Sequence, residues 1–127
     1  MTSPIEMLTR RGRLERFFIG GAWVAPHGTD IAEVTNPATE TPLCRIALGN
    51  AADVDDAVAA ASAAFDVWSL TEPATRAALL QRLEELMASQ IETLAQCISL
   101  EMGAALDYAR TAQVPLAIAH LRTAREV

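Results

Sequence analysis

The sequence predicts short antiparallel strands followed by three to four helices. Residues 17–48 contain pairs of short apolar runs separated by turn residues, which is typical of β-hairpins. From Asn50 onward, apolar residues recur instead with the 3.6-residue period of helices. Because the strands come first and the helices follow without alternation, this chain does not by itself build a complete parallel sheet. We therefore expect strands over 17–48 and helices over 50–127.

The chain begins with a polar, arginine-rich stretch over residues 1–16. Pro4 and Gly12 interrupt it, and no regular apolar period runs through it. These features predict a loosely ordered N-terminal extension with solvated arginines. The alternative is a basic contact arm for an acidic partner. The arginines concerned are Arg10, Arg11, Arg13 and Arg16.

The first hairpin is predicted from two apolar runs, Phe17–Ile19 and Ala22–Val24. Gly20 and Gly21 separate them, and a pair of residues able to take positive φ between apolar runs indicates a hairpin. A turn is expected over Pro26–Asp30, since proline, glycine and aspartate are all frequent turn residues.

A second pair of strands is predicted at Ile31–Thr35 and Leu43–Leu48, around a turn over Asn36–Pro42. The dipeptide Asn36-Pro37 favours turn initiation, because proline fixes φ and asparagine bonds back onto its own backbone.

The first long helix is predicted after Asn50, a plausible N-cap, with Asp53 in the first turn where the helix dipole favours a carboxylate. A role in the helix start explains the acidic residues 53, 55 and 56 without any catalytic function. The apolar stripe of this helix comprises Val54, Ala57, Val58, Ala61, Phe65 and Trp68.

Residues that favour helix starts and stops delimit the later helices. Pro73 predicts a helix start, residues 89–90 predict a break, and Gly103 predicts a stop. The stretch from Leu106 to Glu126 is predicted to be helical, with a kink near Pro115.

Composition excludes several classes of function. The net charge of −6 argues against nucleic-acid binding, which needs a basic face. No stretch is long enough to span a bilayer and no signal-peptide pattern is present, so we expect a cytoplasmic protein without membrane association. All ten basic residues are arginine, which removes lysine Schiff-base chemistry from consideration. The two cysteines form no metal-ligand cluster.

Single residues capable of chemistry have structural explanations. Cys97 lies beside the helical stripe that contains Leu94 and Ile98, where a cysteine is a small apolar filler. Cys44 is expected to pack in the same way in its strand. His27 and His120 have no nucleophile near them in the sequence. We therefore predict no catalytic and no cofactor-binding residue in this chain.

Several short motifs follow one another at characteristic spacings. They are the Gly-Gly-x-Trp hairpin, the Asn-Pro-Ala-Thr turn, the helix from Asp53 to Trp68, the Arg76-x-x-Leu79-Leu80 helix and Leu100-Glu101-x-Gly103. Their order and spacing are similar to the N-terminal segment of the NAD(P)-dependent aldehyde dehydrogenase superfamily, and the resemblance covers about residues 17–127. One departure is Glu40-Thr41, where the family usually has Gly-Glu, and the loss of that glycine is expected to reshape the turn. Ala104 and Ala105 also depart from the usual Lys and Pro.

The resemblance implies an α/β parent fold in which this segment, the N-terminal part of the cofactor-binding domain, packs outside a Rossmann-type sheet built from later sequence. It implies that the nucleophilic cysteine, the general base and the residues that bind NAD or NADP all lie downstream. It also implies a monovalent-cation site to which the backbone oxygens of Val34 and Thr35 and the Glu101 side chain contribute, together with residues from later sequence, and oxygen ligands suit such a hard cation.

Three hypotheses for function remain open. The chain is the N-terminal segment of an enzyme that oxidises aldehydes to carboxylic acids with NAD(P), inactive and without cofactor as an isolated, truncated fragment. It is alternatively a stand-alone helical binding module, or one part of a split enzyme. Under the first hypothesis its partners are the missing downstream domains or other copies of itself, and exposed apolar faces are expected.

Overall fold

The structure, a computed structural model, describes residues 3–126, so Met1, Thr2 and Val127 lie outside the described residues. The described chain forms two compact units. The first includes residues up to Thr35 together with Glu40–Leu70, and the second includes Asn36–Thr39 together with residues from Thr71 onward. Among the described helices, none is both long enough and apolar enough to cross a bilayer.

The first unit begins with helix α1, Pro4–Arg10, inside the segment that the sequence predicted to be loosely ordered. Pro4 was interpreted there as a breaker, but it occupies the first turn of α1, where its missing N–H would have no helical partner in any case. The backbone N–H of Ser3 donates to the Glu6 carboxylate at 3.2 Å. This contact and the fixed φ of the proline account for a helix start that apolar periodicity did not reveal.

The predicted first hairpin is confirmed. Strands β1, Phe17–Ile19, and β2, Ala22–Val24, pair antiparallel, with Phe18 opposite Trp23. Gly20 and Gly21 have φ values of 59° and 81°, the left-handed conformation that a two-residue turn between twisted strands requires.

The second predicted pair is also confirmed, with shifted bounds. Strand β3 spans Ile31–Asn36 and strand β4 spans Thr41–Ala47, so the turn between them is shorter than predicted. Pro42 lies inside β4 rather than in the turn. A two-stranded sheet has only edge strands, in which a proline need not donate to a neighbour.

Helix α2, Ala51–Trp68, starts at the N-cap that the sequence predicted. The Asn50 side-chain oxygen accepts from the N–H groups of Ala52 at 2.9 Å and Asp53 at 3.2 Å. In return, Asp53 Oδ2 accepts from the Asn50 N–H at 2.8 Å. This reciprocal pair satisfies backbone groups that have no partner within the helix.

The second unit contains helices α3, Pro73–Ser89, α4, Ile91–Met102, and the short α5, Leu106–Tyr108. The predicted break at residues 89–90 and the predicted stop at Gly103 are both confirmed, and Gly103 has a φ of 73°. The buried core of this unit is small, and its residues come from the helices before and after Gly103. It consists of Ala95, Ala109, Val114 and Ile118, packed against Met87, Ile91, Leu94, Ile98 and Leu106.

The irregularity predicted near Pro115 takes the form of a π-helix. Residues Ala109–Gln113 form this wider turn, and α6, Val114–Glu126, follows it. The N–H of Val114 donates to the carbonyl of Ala109, five residues back instead of four. Pro115 has no N–H and its ring needs space in the preceding turn, which the wider turn provides.

Candidate functional site

An open apolar groove of about 540 Å³ lies between β1 and α2 in the first unit. Strand β1 contributes Phe17, Phe18 and Ile19, and α2 contributes one edge of its apolar stripe, including Val54 and Val58. The hairpin lies beside α2, since a Cβ added to Gly20 would be 3.8 Å from the Ala60 Cβ. The groove is therefore a product of the hairpin and of the predicted helical stripe.

The apolar stripe of α2 is itself exposed. Val58 is 58% exposed, Phe65 is 63% exposed and Trp68 is 47% exposed. The helix therefore has the apolar pattern of a core-facing helix, but the large side chains of its stripe are exposed. Contiguous exposed apolar side chains are typical of surfaces that contact another protein, a membrane or a ligand.

The groove does not fit a dinucleotide. Binding a pyrophosphate requires unpaired backbone N–H groups or cations, as a helix start can provide. At the start of α2 the N–H groups of Ala52 and Asp53 already donate to Asn50. The Asp53 carboxylate, 5% exposed, also lines the groove and would repel the phosphates. The described residues of the groove therefore suit apolar contact and not NAD.

A polar cluster joins the Pro26–Asp30 turn to α2. The backbone N–H of His27 donates to Asp53 Oδ1 at 2.9 Å, and His27 Nε2 lies 2.7 Å from Asp56 Oδ2. The hydrogen bond and the negative charge of Asp56 raise the pKa of His27, and Asp53 adds to this rise. Hydrogen bonds from the backbone N–H groups of Asn50 and then His27 lower the pKa of Asp53.

Sequence reasoning missed the contact between His27 and Asp56. The two residues are 29 positions apart in the sequence. A histidine in a turn does not indicate a partner, and Asp56 is one of three aspartates near the start of α2, so the sequence does not predict the pairing. For Asp53 a signal was available, since an acidic residue three positions after an N-cap residue resembles a capping box. His27 contacts carboxylates on one helix, which gives it an anchoring role. His120 lies exposed on α6 in the other unit.

Cys97 has the properties of a packing residue. It is half-buried in α4, and burial, followed by the charge of Glu101, raises the pKa of its thiol. A thiol with a raised pKa is protonated at neutral pH and is a poor nucleophile. Cys44 is half-buried in β4. Both observations agree with the structural role predicted from their neighbours.

The residues implied for a monovalent cation belong to different units. Val34 and Thr35 lie in β3 of the first unit, where Val34 is half-buried and Thr35 exposed. Glu101 lies exposed near the end of α4 in the second unit. Within residues 3–126, histidines, cysteines and acidic residues form no group of three that could hold a metal ion. The cation site remains a prediction of the resemblance.

Two glutamates join helices of the second unit through arginines. Glu84 in α3 accepts from Arg122 at 2.6 Å and lies 3.6 Å from Arg125, both in α6. Glu92 in α4 accepts from Nε and Nη2 of Arg110 in the π-helix, at 2.8 and 3.1 Å. The planar guanidinium suits such two-pronged contacts, so these arginines have structural partners.

Comparison with known proteins identifies the family of this chain. The Aldehyde dehydrogenase family matches residues 23–127. A 3-succinoylsemialdehyde-pyridine dehydrogenase of a Pseudomonas species is 42% identical over 112 residues, covering 87% of this chain and 24% of that protein. Acetaldehyde dehydrogenase 2 of Cupriavidus necator is 36% identical over 105 residues, and this match covers 83% of this chain and 21% of that protein.

A solved structure shows the same local fold. It is a mutant of aldehyde dehydrogenase C from Pseudomonas syringae with NAD+ and octanal, with a TM-score of 0.88 and 52% identity. The match covers 89% of this chain and 23% of that one. The chain thus spans about a quarter of the length of the relatives it matches. With its two hairpins and later helices matching over most of its length, the chain belongs to the aldehyde dehydrogenase family.

Proposed function

We propose that this chain is the N-terminal segment of a cytoplasmic oxidoreductase that oxidises an aldehyde to a carboxylic acid with NAD or NADP. Membership of the family supports the reaction class, and a relative with NAD+ and octanal supports the type of cofactor and substrate. The observation that carries the proposal is the uncovered stripe of α2 in a chain that spans about a quarter of its relatives' length.

The role of the segment is to pack against the remainder of the subunit. Exposed apolar side chains continue beyond the stripe, since Val67 in α2 and Leu70 just after the helix are 76% and 83% exposed. Burying a fully exposed side chain of this kind stabilises a protein by about 1.5–3 kcal/mol. Contact with further domains of the same enzyme would therefore stabilise both parts. Self-association through the same surface is the competing route when those domains are missing.

By itself the chain is proposed to be inactive and not to bind the cofactor. The oxidation requires a thiolate that attacks the aldehyde carbon, and the half-buried Cys97 has its pKa shifted in the unfavourable direction. Among the described residues that line it, the apolar groove has the Asp53 carboxylate and no basic side chain, which disfavours a bound phosphate. We therefore propose that the nucleophile and the cofactor site lie outside this segment.

A chimera tests the proposal. This chain would replace the matching segment of the Pseudomonas syringae relative in its unmutated form, and NADH formation from octanal would be followed by absorbance. We expect a soluble chimera that forms NADH, while the isolated chain forms none. Val58→Asp in the chimera should reduce soluble, active enzyme, because it places a charge on the proposed contact face. Asp55→Ser, an exposed polar change on the same helix, is the matched control.

Other outcomes would favour the other hypotheses. An isolated chain that forms NADH, or a chimera that fails to fold although the intact relative folds, would contradict the proposal. A monomeric isolated chain that melts cooperatively and binds no apolar dye would favour a stand-alone helical module. Restoration of activity by a separately expressed remainder of the relative would show that the segment works in a split enzyme.

A further inference from the structure

The Pro26–Asp30 turn is held on the start of α2 by contacts from one residue. The backbone N–H of His27 donates to Asp53, and its ring contacts Asp56 one helical turn later. Next to it, Gly28 lies so close to the cap that an added Cβ would be 3.1 Å from Asn50 Nδ2. The turn, the N-cap and the first turns of α2 are therefore one connected structure.

The two contacts of His27 respond differently to protonation. The backbone contact uses the Asp53 carboxylate, which is ionised at neutral pH, so loss of the ring proton acts on it only indirectly, through the position of the turn. The ring contact is an ion pair when the imidazole is protonated, because both ring nitrogens then carry hydrogen. When the imidazole is neutral, the same contact is at best an ordinary hydrogen bond, and the tautomer without hydrogen on Nε2 faces the carboxylate with a lone pair.

We propose that His27 and Asp56 form a pH-sensitive latch, which holds the Pro26–Asp30 turn against α2 while the imidazole is protonated and loosens when it loses its proton. Asp56 is the main charge that acts on the ring, with a smaller contribution from Asp53, and both lie on α2. Within the turn itself, the further carboxylate is that of Asp30, whose backbone carbonyl accepts from the N–H of Leu48.

The direction of the pH effect follows from the pKa of His27. It is raised from its ordinary value of 6.5, chiefly by the hydrogen bond and charge of Asp56. A raised folded-state pKa means that the stabilising contribution is complete below 6.5 and is lost as the pH rises through the folded-state value. The latch is therefore closed in mildly acidic solution and weakened in alkaline solution.

The test is an NMR titration of the His27 ring in the 127-residue chain. His120→Gln leaves a single histidine signal, and Asp56→Asn and Asp55→Asn are compared on that background. We expect a raised pKa for His27 that falls most of the way to the ordinary value in Asp56→Asn, since only the smaller effect of Asp53 is left. It should stay raised in Asp55→Asn, which removes a neighbouring carboxylate on the same helix.

Hydrogen exchange of the His27 amide reports the latch itself. Its protection factor, corrected for the intrinsic pH dependence of exchange, should fall about two- to fivefold between about pH 5.5 and about pH 8.5, the range expected for an exposed ion pair. Asp56→Asn should abolish this fall. An ordinary His27 pKa in the parent chain, or an unchanged fall in Asp56→Asn, would overturn the proposal.

Discussion

Gly103 lies so close to Pro37 that a Cβ added to the glycine would be 2.9 Å from Pro37 Cγ. Gly103 also has a φ of 73°, in the left-handed region that side chains with a Cβ disfavour. We expect Gly103→Ala to lower the free energy of unfolding by about 2–3 kcal/mol, combining backbone strain with a displaced proline ring. Urea denaturation followed by circular dichroism measures this change.

Gly12→Ala is the control for Gly103→Ala. Gly12 has a similar φ of 61°, but an added Cβ would meet no atom within 4 Å. This substitution should therefore cost only the backbone part, about 1–2 kcal/mol. Equal costs for the two variants would show that the contact with Pro37 contributes nothing.

Glu40 is predicted to be a suboptimal residue in the turn between β3 and β4. Its φ is 57°, and of the described residues other than glycine it alone has a positive φ. Glu40→Gly should raise the free energy of unfolding by about 0.5–1 kcal/mol, because relief of backbone strain exceeds the entropy cost of glycine. Thermal or urea unfolding checks the sign. Glu33→Gly, at an exposed strand position, should lower stability, and a gain in both variants would contradict this explanation.

Asn50 should contribute measurably to the stability of α2. Asn50→Ala removes the oxygen that accepts from Ala52 and Asp53, so the free energy of unfolding should fall by about 1 kcal/mol. Asn50→Ser keeps a good N-cap and should retain most of the stability. If serine costs as much as alanine in urea denaturation, the side-chain cap is not the source of the effect.

Asp53 should make the first unit sensitive to acid. Its pKa is lowered from 3.8, first by the N–H of Asn50 and then by that of His27. A lowered folded-state pKa contributes stability that is present above 3.8 and is lost as the pH falls below it. Asp53→Asn should therefore show a shallower loss of stability below 3.8 than the parent chain. Parallel pH profiles of the two proteins would contradict this role.

Local chemistry explains why most helix and strand boundaries were predictable from sequence. The glycines at positions 20, 21 and 103 take the positive φ that their turns require, and Asn50 caps a helix. Each of these roles depends on a few neighbouring residues, so the local sequence is enough to predict it. Pro4 shows the limit of this approach. Proline disrupts the interior of a helix but is favourable in its first turn. At Pro4 the second role applies, with a contact from the Ser3 N–H to the Glu6 carboxylate that depends on side-chain geometry.

Long-range contacts were not predictable in the same way. The pairing of His27 with Asp56 depends on how the turn after β2 packs against α2, and the residues next to either one do not predict that packing. The stripe of α2 was predicted correctly as a helical face, but the period is the same for a buried and an exposed face. The sequence pattern therefore identifies the apolar face of α2, whereas the expectation that this face is exposed depended on the hypothesis that the chain is an N-terminal segment.

The division into two units distributes the aromatic side chains unevenly. Both tryptophans, Trp23 and Trp68, lie in the first unit, and the single tyrosine, Tyr108, lies in the second. Fluorescence excited selectively at tryptophan therefore reports the environment of the first unit alone, whereas the far-ultraviolet helical signal comes from both. Each unit thus carries its own optical label, and the order in which the two lose structure is readable without any added dye.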